Sequence, residues 1–315
     1  MWWEASYDPS NRQDGALAMD AIALSLLSGF GFGSAAILAR VGMQGMSPLS
    51  STLLSVVVSF CPTALLALVF AFSDIKDLPP VALVWFFFLG VVNFLGGRTS
   101  SYQAIGRIGA SRTAAIQSTA AVFASVFAIT ITGERPHFVV LLGTLTVVVG
   151  LTTALGNSIR DGVNNNRGAV IGFGLALVAA ASYGGTNVIA KELTEEYGSP
   201  LMVSALGLLF GIILLSPLAG ASTVREVKAA KGNLMFALSA GFSGLAAATG
   251  VIALYFALER SDVTVVSPIV STNPIFTLIL AQVFISKMED LTKWLFLGVG
   301  ITVVGVITVT VGSTL

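Results

Sequence analysis

The chain has 315 residues, 55% of them hydrophobic and only 10% charged, with 16 Lys and Arg balancing 16 Asp and Glu. A soluble globular domain carries about 25% charged residues, so the composition excludes one and describes an integral membrane protein in contact with a lipid bilayer. Balanced charge offers no basic surface for nucleic acid, and one Cys with one His gives no disulfide framework and too few ligands for a zinc or haem site. No cofactor is expected.

Residues 1–18 read as a polar tail, with Glu4, Asp8 and Asp14 against Arg12, the wrong charge for the start of a signal peptide. Five apolar stretches follow at 19–39, 49–72, 81–106, 111–132 and 137–155. Each is close to the roughly 20 residues a helix needs to cross a bilayer. A polar linker, 157–167, precedes five more at 168–190, 199–219, 233–258, 263–285 and 292–313. Pro, Gly, Asn and charged residues punctuate the gaps, as at Ser47-Pro48, Gly133 to Pro136 and Glu192 to Gly198. The expected fold is all-α, with ten transmembrane helices in two halves, 19–156 and 168–315.

The halves repeat each other. A shift of 153 positions places Tyr102 on Tyr255, Arg107 on Arg260, Ile116 on Ile269, and Ser118-Thr119 on Ser271-Thr272. After a two-residue gap, Glu134 falls on Glu289, Gly143 on Gly298 and Gly150 on Gly305. Gly33 to Arg40 matches Gly184 to Lys191, and Ser47-Pro48-Leu49 recurs as Ser199-Pro200-Leu201. Five is odd, so the second copy enters the membrane from the opposite side. The repeat is therefore inverted, as in many transporters.

These residues resemble the drug/metabolite transporter superfamily, in particular its ten-helix carriers with two EamA-type domains. The resemblance covers nearly all of 19–313. It rests on Tyr102-Gln103-Ala104 with Gly109-Ala110-Ser111-Arg112, on Gly133-Glu134-Arg135, and on Asn273-Pro274-Ile275-Phe276. It implies a central cavity between the halves of a carrier in the cell membrane. Two departures from the pattern involve three positions. Phe32 and Tyr183 stand where the family often has Trp, and Ala121 faces Pro274 in the repeat, so a proline bend is expected in the second half only.

Of the 16 Lys and Arg, eleven belong to the side of the odd-numbered loops. The positive-inside rule then puts both termini outside, whereas the resemblance puts them in the cytoplasm. Orientation stays open, as does self-association into a homo-oligomer.

Arg98 is the most informative candidate. It aligns with Val251 inside an uninterrupted apolar run and lies about 7 Å from the midplane at a rise of about 1.5 Å per residue. An unpaired charge there costs about 2.5–3.5 kcal/mol even on the lenient insertion scale, so it needs a wet cavity or a partner; the alternative is an interfacial arginine ending its helix. Tyr102 shares its α-helical face, while Asn93, five residues back, falls well off it. Tyr255 is the repeat mate of Tyr102, and the pair lines a cavity or forms part of an interfacial belt. Gln117, Asn187 and Asn273 are expected to line the cavity, with helix–helix hydrogen bonding as the alternative. Tyr183 and Thr186 raise the same choice. Arg40 and Lys191 end their helices, where the dipole alone accounts for a cation.

No Asp or Glu lies in the middle of an apolar stretch, which removes the intramembrane carboxylate that small multidrug exporters use. Gly241-Phe242-Ser243-Gly244 matches the pattern of a rhomboid intramembrane protease, yet His137 at a membrane edge is the only histidine for its serine; helix packing explains the glycines. The expected function is a non-enzymatic carrier of a small polar metabolite, such as an amino acid or organic anion, working by alternating access. Export of amphipathic drugs or lipid precursors, or a scaffold without transport, are the alternatives.

Overall fold

Helix boundaries follow local chemistry. The computed structural model describes residues 12–163, 167–229, 234–284 and 293–313. Among them the first half contributes α1 (Arg12–Gly42), α2 (Pro48–Phe70), α3 (Ala82–Ile108), α4 (Ala110–Thr132) and α5 (Phe138–Val163). The second contributes α6 (Arg167–Tyr197), α7 (Pro200–Ala229), α8 (Leu234–Arg260), α9 (Val263–Val270 continued by Asn273–Phe284) and α10 (Lys293–Gly312). Among the described residues eight helices hold spans long and apolar enough to cross a membrane; α5 and α10 hold shorter apolar runs, Phe138–Thr153 and Gly300–Gly312. Large apolar side chains such as Phe70, Trp85, Phe87 and Phe88 point outward, where lipid would cover them.

Three helices stop at glycines with positive φ, where a side chain would be strained: α3 at Gly109, α4 at Gly133 and α6 at Gly198. Two helices outrun their apolar cores. Glu192 to Tyr197 and Ser222 to Ala229, which read as loop, extend α6 and α7, because those stretches contain no breaker and are rich in helix formers. Likewise α5 continues from Asn157 through Val163 into the stretch read as a linker. Residues 1–11 of the polar tail and 164–166 of the linker lie outside the described residues.

Carboxylates of each half cap helices of the other. The Ser47 backbone N–H, at the start of α2, donates to Glu226 at 2.8 Å. Its repeat mate, the Ser199 N–H before α7, donates to Asp74 at 3.0 Å. Negative charge at a helix N-terminus is stabilised both by the orphan N–H groups and by the dipole. The recurring Ser-Pro pairs therefore mark two equivalent cross-half caps.

Packing follows the same symmetry. α1 lies against α8 and α9, while α6 lies against α3 and α4; α2 pairs with α7, and α5 with α10. Lipid tails are as apolar as Leu, so close approach of small residues drives such contacts. A Cβ added at Gly33 would meet Asn273 O at 2.9 Å and Thr277 N at 3.0 Å; one at Gly184 would meet Ala120 O at 3.0 Å and Ala124 N at 2.7 Å. These are equivalent contacts across the repeat. At the α5–α10 seam, Cβ atoms on Gly143 and Gly150 would run into Val309 N at 2.6 Å and Thr302 N at 2.5 Å.

Gly305→Leu should lower the melting temperature in detergent sharply. Its Cβ would meet Val147 N at 2.6 Å, and overpacking costs about 1–3 kcal/mol, more where the obstacle is backbone. Gly300→Leu, on the same helix with nothing within 4 Å of its Cβ, should leave the melting temperature nearly unchanged.

Candidate functional site

Two irregularities in the helices shape the interior. In α3, Val91–Arg98 winds as a π-helix. Here the Gly96-Gly97 pair admits α6: added Cβ atoms would meet Ser182 Oγ at 2.6 Å and Tyr183 Cε1 at 2.7 Å. The second irregularity is a pair of breaks. α4 is interrupted at Ser118-Thr119 and α9 at Ser271-Thr272. Thr119 Oγ1 donates to Ile116 O at 2.6 Å, and Thr272 Oγ1 donates to Ile269 O at 2.7 Å. Their backbone N–H groups turn to the same carbonyls, each at 3.1 Å. Both halves thus break at the matched position, although proline follows only the second break, at Pro274. In α4 the Ile-x-Ser-Thr segment breaks the helix without proline, because the threonine hydroxyl helps satisfy the turned backbone.

Around these features lies a cavity of about 130 Å³ lined from α1, α3, α4, α6, α8 and α9, enough for on the order of ten waters. Arg98, Tyr102, Gln117, Asn187, Asn273 and Tyr255 all line it. Arg98 is 8% exposed, so it sits within the bundle rather than at an interface. Among the described residues its guanidinium has no ion pair or hydrogen bond, and no Asp or Glu lines the cavity. Gln117 Nε2 is buried without a hydrogen-bond partner.

The other candidates divide. The Tyr102 hydroxyl lies 3.0 Å from Ser55 Oγ and 2.8 Å from Ser243 Oγ, and Ser243 donates onward to Ala35 O at 3.0 Å. One phenol thus ties α1, α2, α3 and α8 together, leaving its ring to line the cavity. Ser243 of the protease-like motif is spent on this packing. The Tyr255 hydroxyl has no such tie among the described residues. Asn187 Nδ2 donates to Ser267 Oγ at 2.9 Å, joining α6 to α9. Asn187 therefore both lines the cavity and makes the helix–helix bond posed as its alternative.

Sequence reasoning set Asn93 aside, yet it lines the cavity with Arg98. The offset of five residues was judged on an α-helix; in a π-helix, bonded i to i+5, it is about one turn. The adjacent glycine pair was the available signal. Ser101, Tyr183, Thr186, Ser267 and Ser271 also line the cavity, and Ser271 was flagged only as a repeat match.

An ion cluster lies beyond one end of the cavity. The lining reaches Asn187, one turn short of Lys191. Lys191 Nζ lies 2.9 Å from Asp262 Oδ1, 3.4 Å from Glu134 Oε1 and 3.7 Å from Glu195 Oε1. Glu134 also accepts the backbone N–H groups of Val263 at 3.0 Å and Thr264 at 3.1 Å, capping α9. Lys191 is thus an ion-paired bridge between the halves and more than a dipole cation. Arg40, its repeat mate, donates to Ile105 O at 3.0 Å, the carbonyl end of α3. Ile105 and Ala110 carry the lining to that opposite end.

Glu134→Gln should destabilise the folded protein by about 2 kcal/mol in reversible denaturation. This is less than the loss of a fully buried ion pair, since Asp262 still holds Lys191. Tyr102→Phe should cost about 0.6 kcal/mol, the average for a hydrogen bond between membrane helices, whereas Tyr255→Phe should be neutral in the same assay.

Comparison with known proteins agrees with this architecture. A search of curated proteins gives no significant match, while 28 chains of solved structure match significantly. One crystal structure shares 15% sequence identity at a TM-score of 0.69, covering 96% of this chain and 99% of its own; at that identity the likeness is one of fold. The family model for EamA-like transporters matches twice, over residues 19–156 and 170–311. The chain belongs to the EamA-like transporter family, within the drug/metabolite transporter superfamily.

Proposed function

We propose that this transporter is a carrier of a small polar metabolite, an amino acid or other small organic anion, that works in the cell membrane by alternating access. Arg98 carries the reading. A guanidinium at the cavity wall without a protein partner keeps its five donors free for whatever enters, and a substrate anion arriving in the cavity supplies the partner. Gln117, Asn273 and Tyr255 add neutral polar groups around it, and Tyr102 and Asn187 fix the walls. A non-transporting scaffold has no use for a charge left in this condition.

The broken helices and the ion cluster support the motion. Breaks in α4 and α9 let the parts on either side tilt separately. Opening at the Lys191 end requires Glu134 to release both the lysine and the α9 N-terminus. The repeat places Arg40 at the equivalent point of the opposite mouth. No catalytic step is assigned to any residue.

The test uses a protein with Cys61, the only native cysteine, replaced by Ala and with Ser271→Cys in the cavity wall. In sealed vesicles, a membrane-impermeant thiol reagent should label it from either face, because a carrier exposes its site to each side in turn. Labelling from one face only, or from neither, would argue for a fixed pocket or a scaffold.

A further inference from the structure

We infer that the substrate is an organic monoanion with an apolar body, rather than an amino acid. This rests on the carrier reading and narrows it. The charge of the lining is set by Arg98 alone, since the remaining lining residues are neutral. The two broken helices do not alter the balance. Carbonyl ends at Gln117 and Val270 and amide ends at Ala120 and Asn273 all line the cavity, so the dipole contributions oppose one another.

Charge arithmetic then discriminates between ligands. One negative charge beside Arg98 makes the loaded site neutral. A zwitterion leaves it at +1, a cation at +2 and a dianion at −1. Net charge in a low-dielectric interior is penalised, and the loaded site must persist while both mouths are shut. An ammonium group would also find only neutral oxygens in exchange for its water. A carboxylate, by contrast, matches the planar guanidinium fork with two parallel hydrogen bonds.

The body of the ligand is set by the other walls. Phe32, Ile105, Val251, Leu254 and the rings of Tyr183 and Tyr255 supply apolar and aromatic faces. Room for on the order of ten waters suits an anion with one ring or a short branched chain. Val251 is the repeat mate of Arg98, so the two halves present an apolar residue and a cation at equivalent positions.

The experiment is counterflow of labelled 3-phenylpropanoate in proteoliposomes, with melting in detergent measured in parallel. Competitors share one skeleton: 3-phenylpropanoate, phenylalanine, 2-phenylethylamine and benzylmalonate, with 4-methylpentanoate as a non-aromatic monoanion. The two monoanions should compete at least tenfold better than phenylalanine, the amine and the dianion. Arg98→Gln should abolish counterflow, and Val251→Glu should shift preference toward phenylalanine by adding the carboxylate an ammonium needs. Phenylalanine or the amine competing as well as the monoanions in the unmodified protein would overturn the proposal. So would the absence of both counterflow and stabilisation by either monoanion at millimolar concentration. Labelling of Ser271→Cys from both faces in that case would keep the carrier and reject only the substrate class. Labelling from one face or none would reject the carrier itself.

Discussion

The start of a helix leaves backbone N–H groups without intrahelical partners, and these need a side chain or water. This chain meets the constraint by exchange between its halves. Glu226 holds the start of α2, Asp74 that of α7, and Glu134 that of α9. Each acid comes from the half that does not own the helix. Neither half completes its helix termini alone, so the caps that stabilise local structure also fix how the halves dock. Glycines then allow the docked surfaces to approach at backbone distance, which is where most of the attraction between helices in lipid arises.

The interior reverses this logic. The cavity keeps several polar side chains without protein partners, Arg98 foremost. The π-helical turn of α3 and the breaks in α4 and α9 sit at this level, and the local rules of regular helix are relaxed at the walls of the site. Irregular backbone at membrane depth is tolerated where it lines a cavity or is buried in protein. The structural polar residues, Tyr102 and Asn187, bond across helices, and the groups beside them remain available.

Much of this was legible in the sequence. Apolar run length gave the ten long helices seen among the described residues, and the repeat singled out Arg98 because its mate is Val251. The six candidates were found to share one cavity because polar residues in a lipid-facing sequence are few and each demands an explanation. What stayed hidden depended on geometry or on distant pairing. The face of Asn93 turned on a change of helical period that glycines permit but do not announce. The break in α4 needed no proline, only hydroxyls returning to a carbonyl three residues back. Lys191 finds Glu134 and Asp262 at separations of 57 and 71 residues, beyond the reach of any local pattern.

At the α5–α10 seam, equivalent glycines meet: Gly143 faces the Gly305 carbonyl, and Gly150 faces that of Gly298. Each side therefore offers the other its own surface, an isologous contact of the kind that closes a two-fold homodimer. Such a surface is complete with two copies and leaves no complementary patch for a third. A five-helix half of this design carries the instructions for its own pairing. The covalent connection adds proximity and guarantees one copy in each direction across the membrane.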